Sequence, residues 1–383
     1  MQVYFDNAST TKIDSRVFET ILPFLKDNYG NASSIHSLGR KARVAIESSR
    51  ETIADFIGAI PSEIYFTSGG TEAINFIISG ISKSNFLETN KNELLTSPIE
   101  HKAVIDTHKN LEQYGLTTKY LKIDNNGCFN LDSLCKNITS KTSLISLMHT
   151  NNEIGAINNI EQISDKLGEN QFLFCDCVQA FGKTKIDVNT LKIHALSASA
   201  HKIYGPKGIG IAYIKSGTPL SPLLFGGSQE RNRRGGTENV AAIVAFATAV
   251  IIAKSEMESN YKSVSKLNSY FQNGIVQIFG DKISINNSKK STPYILSLTF
   301  RNEYFRNDID TLLMSLDING IAASQGSACT SGTIKPSHVI LGIGKEINDA
   351  NGTIRFSFNP KNTISEVDYV LGVLEKLGKH NSK

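Results

Sequence analysis

Glu63-Ile-Tyr-Phe-Thr-Ser-Gly-Gly-Thr-Glu-Ala-Ile-Asn-Phe-Ile-Ile-Ser-Gly-Ile81 changes its hydrophobic period midway. Residues 63–67 read as a short strand, Ser68-Gly-Gly70 can turn, and Ile74, Ile77, Ile78 and Ile81 then share one face of a helix. A strand running through a glycine turn into an amphipathic helix is the opening of a βαβ unit, and the pattern recurs downstream. Strands are expected at 93–97, 116–121, 143–149, 172–176, 195–200 and 208–214, with helices at 101–114 and 160–167 between them. This alternation predicts an α/β fold with a large domain built on a mainly parallel, seven-stranded sheet covered by helices.

After residue 237 the character changes. A long helix is expected over 237–279, followed by mixed elements: strands at 295–300 and 353–358, helices at 308–316 and 364–377. The pattern suggests a smaller α+β domain that also recruits the N-terminal segment. The expected division is 16–256 for the large domain, with 1–15 and 257–383 forming the small one.

Composition narrows the function classes. Forty basic and thirty-six acidic residues leave a formal charge of +4 with no lysine or arginine block, so no nucleic-acid face is expected and a small anionic ligand fits better. The apolar run 240–253 is too short for a membrane span and is interrupted by Thr248, so it reads as a buried helix. The N-terminus lacks a basic-then-apolar run, which makes the cytoplasm the expected compartment. Five cysteines, odd in number and without a Cys-x-x-Cys pair, fit neither a disulfide framework nor a zinc ribbon. The eight histidines form no His-x-x-x-His pattern, so no metal site is expected.

The chemistry gathers at the expected strand ends, where ligand sites of such sheets lie. Gly70 and Thr71 open a helix whose free N–H groups suit an anion. His101 stands at a strand-to-helix junction, placed to stack on a ring or relay a proton. Asp176, in Phe174-Cys-Asp-Cys-Val-Gln-Ala180, is a carboxylate in an apolar stretch and needs a partner, unless it only caps the next turn. Ser197-Ala-Ser-Ala-His-Lys-Ile-Tyr-Gly-Pro206 delivers His201 and Lys202 onto a turn, where a partly desolvated amine can serve as a Schiff-base nucleophile. Arg355 on an alternating strand suits a carboxylate, or equally a solvent-facing edge. Cys329, in Ser324-Gln-Gly-Ser-Ala-Cys-Thr-Ser-Gly332, sits among residues too small to build a core, so it reads as exposed and reactive. The other four cysteines read as structural or incidental.

Together these stretches, with His149-Thr-Asn-Asn-Glu-Ile-Gly155 and Arg234-Gly-Gly-Thr-Glu-Asn239, resemble the cysteine desulfurases of the pyridoxal-phosphate-dependent class V aminotransferase superfamily, in the group with a Ser-x-Gly-Ser-Ala-Cys-x-Ser motif. The resemblance runs nearly end to end and implies the pyridoxal-phosphate transferase fold type I. It implies that Lys202 carries pyridoxal 5'-phosphate and moves the substrate's α-proton, that Asp176 pairs with the ring nitrogen, and that Gln179 contacts the ring hydroxyl. His101 would stack on the ring. Gly70, Thr71, Ser199 and His201 would hold the phosphate, with Thr237 reaching it across a homodimer interface. Asn152 and Arg355 would bind the carboxylate of L-cysteine, and Cys329, on a mobile loop at about 322–336, would take the sulfur as a persulfide. A sulfur-acceptor protein, such as an iron–sulfur scaffold or tRNA-thiolation protein, is the implied partner. A selenocysteine lyase or another pyridoxal-phosphate aminotransferase of the same fold is the alternative. Ser9, Lys12 and Gly235 depart from the pattern of the group, and none is expected to touch an assigned chemical role.

Overall fold

The computed structural model describes residues 1–325 and 336–383. Its strands among these are β1 (Val3–Tyr4), β2 (Ile64–Thr67), β3 (Glu93–Thr96), β4 (Thr117–Tyr120), β5 (Thr142–Met148), β6 (Phe172–Asp176), β7 (Ala195–Ser199), β8 (Gly210–Ile214), β9 (Ile283–Ile285), β10 (Ile295–Phe300), β11 (Ile321–Ala322) and β12 (Thr353–Ser357). Seven of them form one sheet in the order β2-β8-β7-β6-β5-β3-β4. Strands β3 to β7 run parallel, while β8 is antiparallel to both neighbours. Strand β2 therefore points the same way as β7, and the carboxyl ends of β2, β3, β5, β6 and β7 open on one edge.

The central strands β5, β6, β7 and β8 are buried along their whole length, as strands covered on both faces must be. One apolar cluster, including Ile145, Leu173, Leu196 and Phe246, lies on one side of the sheet, and a second, with Ile74, Ile77, Ile78 and Leu144, lies on the other. The isoleucines of the opening stretch are buried in the helix Gly70–Thr89, where the sequence pattern places them.

The helix Val240–Phe279 links two cores. Its alanine-rich first half packs with the large sheet, whereas Val264, Leu267, Phe271 and Ile275 enter a separate cluster with Phe5, Leu296, Phe356 and Leu374. One window of this helix is apolar enough to span a membrane, yet half of that window is buried inside the protein. The second core surrounds an antiparallel sheet β12-β10-β9. The N-terminal chain joins it: β1 pairs with β11, and Asp6 bridges to Ser357 beside β12. Two apolar cores thus meet along this one helix.

Some elements differ from the sequence expectation. The helices Ser15–Lys26 and Ser37–Ile57 precede the stretch where alternation becomes readable. The helix expected at 160–167 shrinks to Glu161–Ser164. Its continuation gives way to a turn in which the Gln171 side chain accepts from Gly168 N–H and Asn170 takes φ 54°. The helix expected at 101–114 is Lys102–Glu112, with His101 as its N-cap.

Candidate active site

A cleft of about 370 Å³ opens at the carboxyl edge of the large sheet. Each strand end delivers residues to it: Gly70 and Thr71 after β2, His101 after β3, Asn152 after β5, Asp176 and Gln179 from β6, and Ser199, His201 and Lys202 from β7. Arg355 enters from β12 in the smaller sheet. Of these ten candidate residues, scattered over nearly 290 positions, nine share the cleft because five strands point the same way, and Arg355 joins them from the smaller sheet. Thr237 is exposed and does not line it. Cys329, and most of the proposed loop at about 322–336, lie outside the described residues.

The floor is held from below. Asp176 Oδ1 accepts from Val178 N–H at 3.0 Å and from Ser197 Oγ at 2.9 Å, so the carboxylate is fixed in a buried position at the lip of the cleft. Local capping and a buried carboxylate facing the cleft therefore coexist at this residue. The Gly70 backbone starts a 20-residue helix. A Cβ at Gly70 would come within 2.9 Å of the Val178 side chain, so a bare backbone lets the helix start and the β6 turn approach closely. Ser199 is buried beside them.

Lys202 Nζ donates to the carbonyls of Ala8 and Ser9 at 2.5 and 2.7 Å. The N-terminal segment is tied to the same turn, because Thr11 N–H and Oγ both donate to the His201 carbonyl. Burial, with Lys202, Lys207 and Lys183 nearby, pulls the His201 imidazole down to about 4, so it is neutral near pH 7. His101 is open to the cleft, but the surrounding walls desolvate it and lower its pKa, against the opposing pull of Asp176. Its Nδ1 accepts from Ala103 N–H at 3.1 Å, which leaves the proton of the neutral ring on Nε2.

Arg355 is almost wholly buried. Its Nη1 donates to the Asn152 carbonyl at 2.7 Å, and Nη2 lies 2.8 Å from Asp6 Oδ1 and 2.7 Å from Oγ of both Ser9 and Ser324. The arginine is thus not on a solvent-facing edge. Its Nε is buried with no partner among the described residues. Ser9, a departure from the family pattern, thus contacts a candidate site residue. A serine can accept from the guanidinium where an alanine cannot.

Sequence reasoning missed several residues at the cleft. Glu153 is buried and raised above the usual carboxylate range by that burial, while its Oε2 accepts from Ser337 Oγ. His338 lines the cleft and its Nε2 lies 2.9 Å from the Glu100 carbonyl. Neither has a local signature, since each is recruited across long sequence distances. Lys183 stands behind the cleft and donates to Gln179 Oε1 at 3.1 Å. The four-residue spacing from Gln179 was its available signal. Cys175 and Cys177 are buried with their sulfurs 3.5 Å apart, and Cys128 and Cys135 lie away from the cleft. Among the described residues no cluster of His, Cys, Asp and Glu could hold a metal.

A parallel-majority sheet with a lysine, an aspartate and a helix start at one edge defines a class of cofactor enzyme. The chain belongs to the aminotransferase class-V family, whose model matches residues 3–370. Among its relatives, "Cysteine desulfurase IscS" of Dictyoglomus turgidum is 41% identical over 377 residues, covering 98% of this chain and 94% of that protein. A solved structure described as a NifS-like protein superposes with a TM-score of 0.91 at 37% identity, over 99% of this chain and all of the other. "SspA in complex with cysteine" matches at 33% identity with a TM-score of 0.83, over 94% of this chain and all of its own.

Enzymes of this family depend on pyridoxal phosphate, and the donor set of the cleft fits that group. Asp176 offers a carboxylate for a protonated ring nitrogen, the Gly70–Thr71 helix start with Ser199 offers N–H and hydroxyl donors for a phosphate, and Lys202 offers the amine that binds an aldehyde. The cleft volume lies within the range of small-molecule sites, roughly 300–1,000 Å³.

Proposed function

We propose that this chain is a cysteine desulfurase that converts L-cysteine to L-alanine and receives the sulfur as a persulfide on Cys329. The observation that carries this reading is the joint lining of one cleft by Lys202, Asp176, His101 and Arg355, in a chain whose Ser324–Gly332 stretch supplies a cysteine among small residues. The cysteine-bound SspA structure supports L-cysteine as the substrate.

When bound, pyridoxal phosphate supplies an electron sink for the pair released at the substrate's α-carbon. Lys202 would hold the cofactor covalently, and its amine would move the substrate's α-proton. Asp176 would keep a proton on the ring nitrogen, and its two hydrogen bonds keep it oriented for that duty. His101, neutral with its proton on Nε2, would stack on the ring and pass a proton to the reacting groups. Arg355, which lines the cleft, would take the substrate carboxylate, beside Asn152. The Cys329 thiolate would then attack the substrate sulfur. An S–S bond forms as the substrate C–S bond breaks, and the electron pair of that bond stays with the carbon skeleton, which is protonated and leaves as alanine.

The enzyme would act as a homodimer in which Thr237 reaches the partner's phosphate site. What supports this reading is that Thr237 is exposed and does not line its own chain's cleft. The persulfide would pass to a sulfur-acceptor protein. Incubating the enzyme, loaded with pyridoxal phosphate, with L-cysteine and a reductant should yield alanine and sulfide in equal amounts. Cys329→Ala should abolish both. Turnover preserved in Cys329→Ser would instead favour an aminotransferase.

A further inference from the structure

Lys183 is buried between the active-site cleft and a second, larger groove of about 1,120 Å³ on whose wall it also lies. A buried ammonium is costly without an acid to pair with, and among the described residues no carboxylate lies within ion-pair distance of it. Its hydrogen bond goes to Gln179 Oε1 at 3.1 Å, and the Tyr294 ring faces it at 5.6 Å. Gln179 Nε2 donates in turn to the Ala8 carbonyl at 2.9 Å, the same oxygen that receives Lys202 Nζ.

Lys183 Nζ is the donor in this contact, and the amide atom it meets is the oxygen. That fixes the side chain's orientation: the –NH2 end, not the carbonyl end, is turned to Ala8 and the site. One amide hydrogen serves Ala8, and the second remains for an acceptor in the cleft. We propose that Lys183 is a positioning residue for the cofactor, pinning the Gln179 amide from behind so that it presents a donor to the ring oxygen of pyridoxal phosphate. The inference rests on the reading of the cleft as the pyridoxal-phosphate site and is independent of where the sulfur goes.

The Ala8 carbonyl favours the same orientation but does not make Lys183 redundant. Without Lys183, Oε1 would be a buried acceptor with no donor, and the amide would gain by rotating toward one. Burial, reinforced by the positive charges of Lys202 and Arg355, already pulls Lys183 down to about 7, so the fold holds this amine against a considerable electrostatic cost.

The test uses full-length apoprotein titrated with pyridoxal phosphate, following the dissociation constant and the visible absorption band of the bound cofactor. Lys183→Met should weaken cofactor binding by about fivefold to tenfold and shift the band, with Lys183→Arg recovering part of both. In a Gln179→Leu background the Lys183→Met change should add nothing further, because the group it positions is already gone. Gln179→Glu covers the case in which Lys183→Met does not fold. It gives Lys183 an ion-pair partner while removing the donor, so it should stay folded yet show the same band shift. Unchanged affinity and spectrum in either Lys183→Met or Gln179→Glu would overturn the proposal, as would full additivity in the double variant. Failure of the wild-type protein to bind pyridoxal phosphate at all would overturn the reading of the cleft instead.

Discussion

Arg355 shows how much one side chain in this site is asked to do. It holds the N-terminal segment through Asp6 and Ser9, holds Ser324, and lines the cleft. Arg355→Met should therefore raise KM for L-cysteine strongly and also cost about 2 kcal/mol of stability, since Asp6 and two hydroxyls lose a charged donor. Steady-state kinetics and thermal denaturation, run on the same preparation, separate the two effects. Ser9→Ala removes only one of these contacts and should change KM by about twofold without measurable loss of stability. Glu100 gives a pH signature. Its burial raises the folded carboxyl to about 8, from an ordinary value of 4.5, so between those values the native state holds a proton that the unfolded state has lost. Stability should fall as pH rises from about 4.5 to about 8, and Glu100→Gln should flatten that slope in a series of melting curves. At this scale the sequence revealed residue types at strand ends, because a lysine on a Gly/Pro turn or an aspartate in an apolar strand is locally anomalous. Glu153, His338 and the Ala8 and Ser9 carbonyls were hidden, because nothing in their immediate sequence marks the distant groups they meet.

The element that most constrains the site is the crossing of the β2 turn over β8. A Cβ at Gly210 would meet the Gly69 backbone and the Ala198 carbonyl, all at 2.7 Å, so the phosphate-side helix start can approach the sheet only over a glycine. Gly210→Ala should displace the Gly69–Gly70 turn, lower the melting temperature and weaken pyridoxal-phosphate binding by about tenfold. Unchanged cofactor affinity in a folded Gly210→Ala protein would separate that turn from the cofactor. The strand–glycine–helix alternation was legible because buried parallel strands and one-faced helices leave different periods in the chain. The two N-terminal helices were not, for they pack mainly on the helix Val240–Phe279 and lie outside the alternating βαβ run. The short β1 and β11 pair carries too few residues to leave a pattern, and its pairing spans more than 300 positions.

At the scale of the whole molecule, two cores share one long helix, and the cleft lies where the small sheet brings Arg355 to the edge of the large one. Thr237 is exposed and does not line its own cleft, as a residue of a shared dimeric site would be. If it is shared, Lys202→Ala and Thr237→Ala chains, each impaired alone, should regain activity when mixed and reassembled, because one site per heterodimer then carries both residues. Absence of any recovery in a confirmed heterodimer would place both residues in the same protomer's site. The central claim, transfer of sulfur from L-cysteine to Cys329, is tested most directly by exposing the loaded enzyme to L-cysteine without reductant and weighing its peptides. The peptide containing Cys329 should gain the mass of one sulfur atom, in step with the alanine formed. Alanine production with the added sulfur on another cysteine, or on none, would contradict the account.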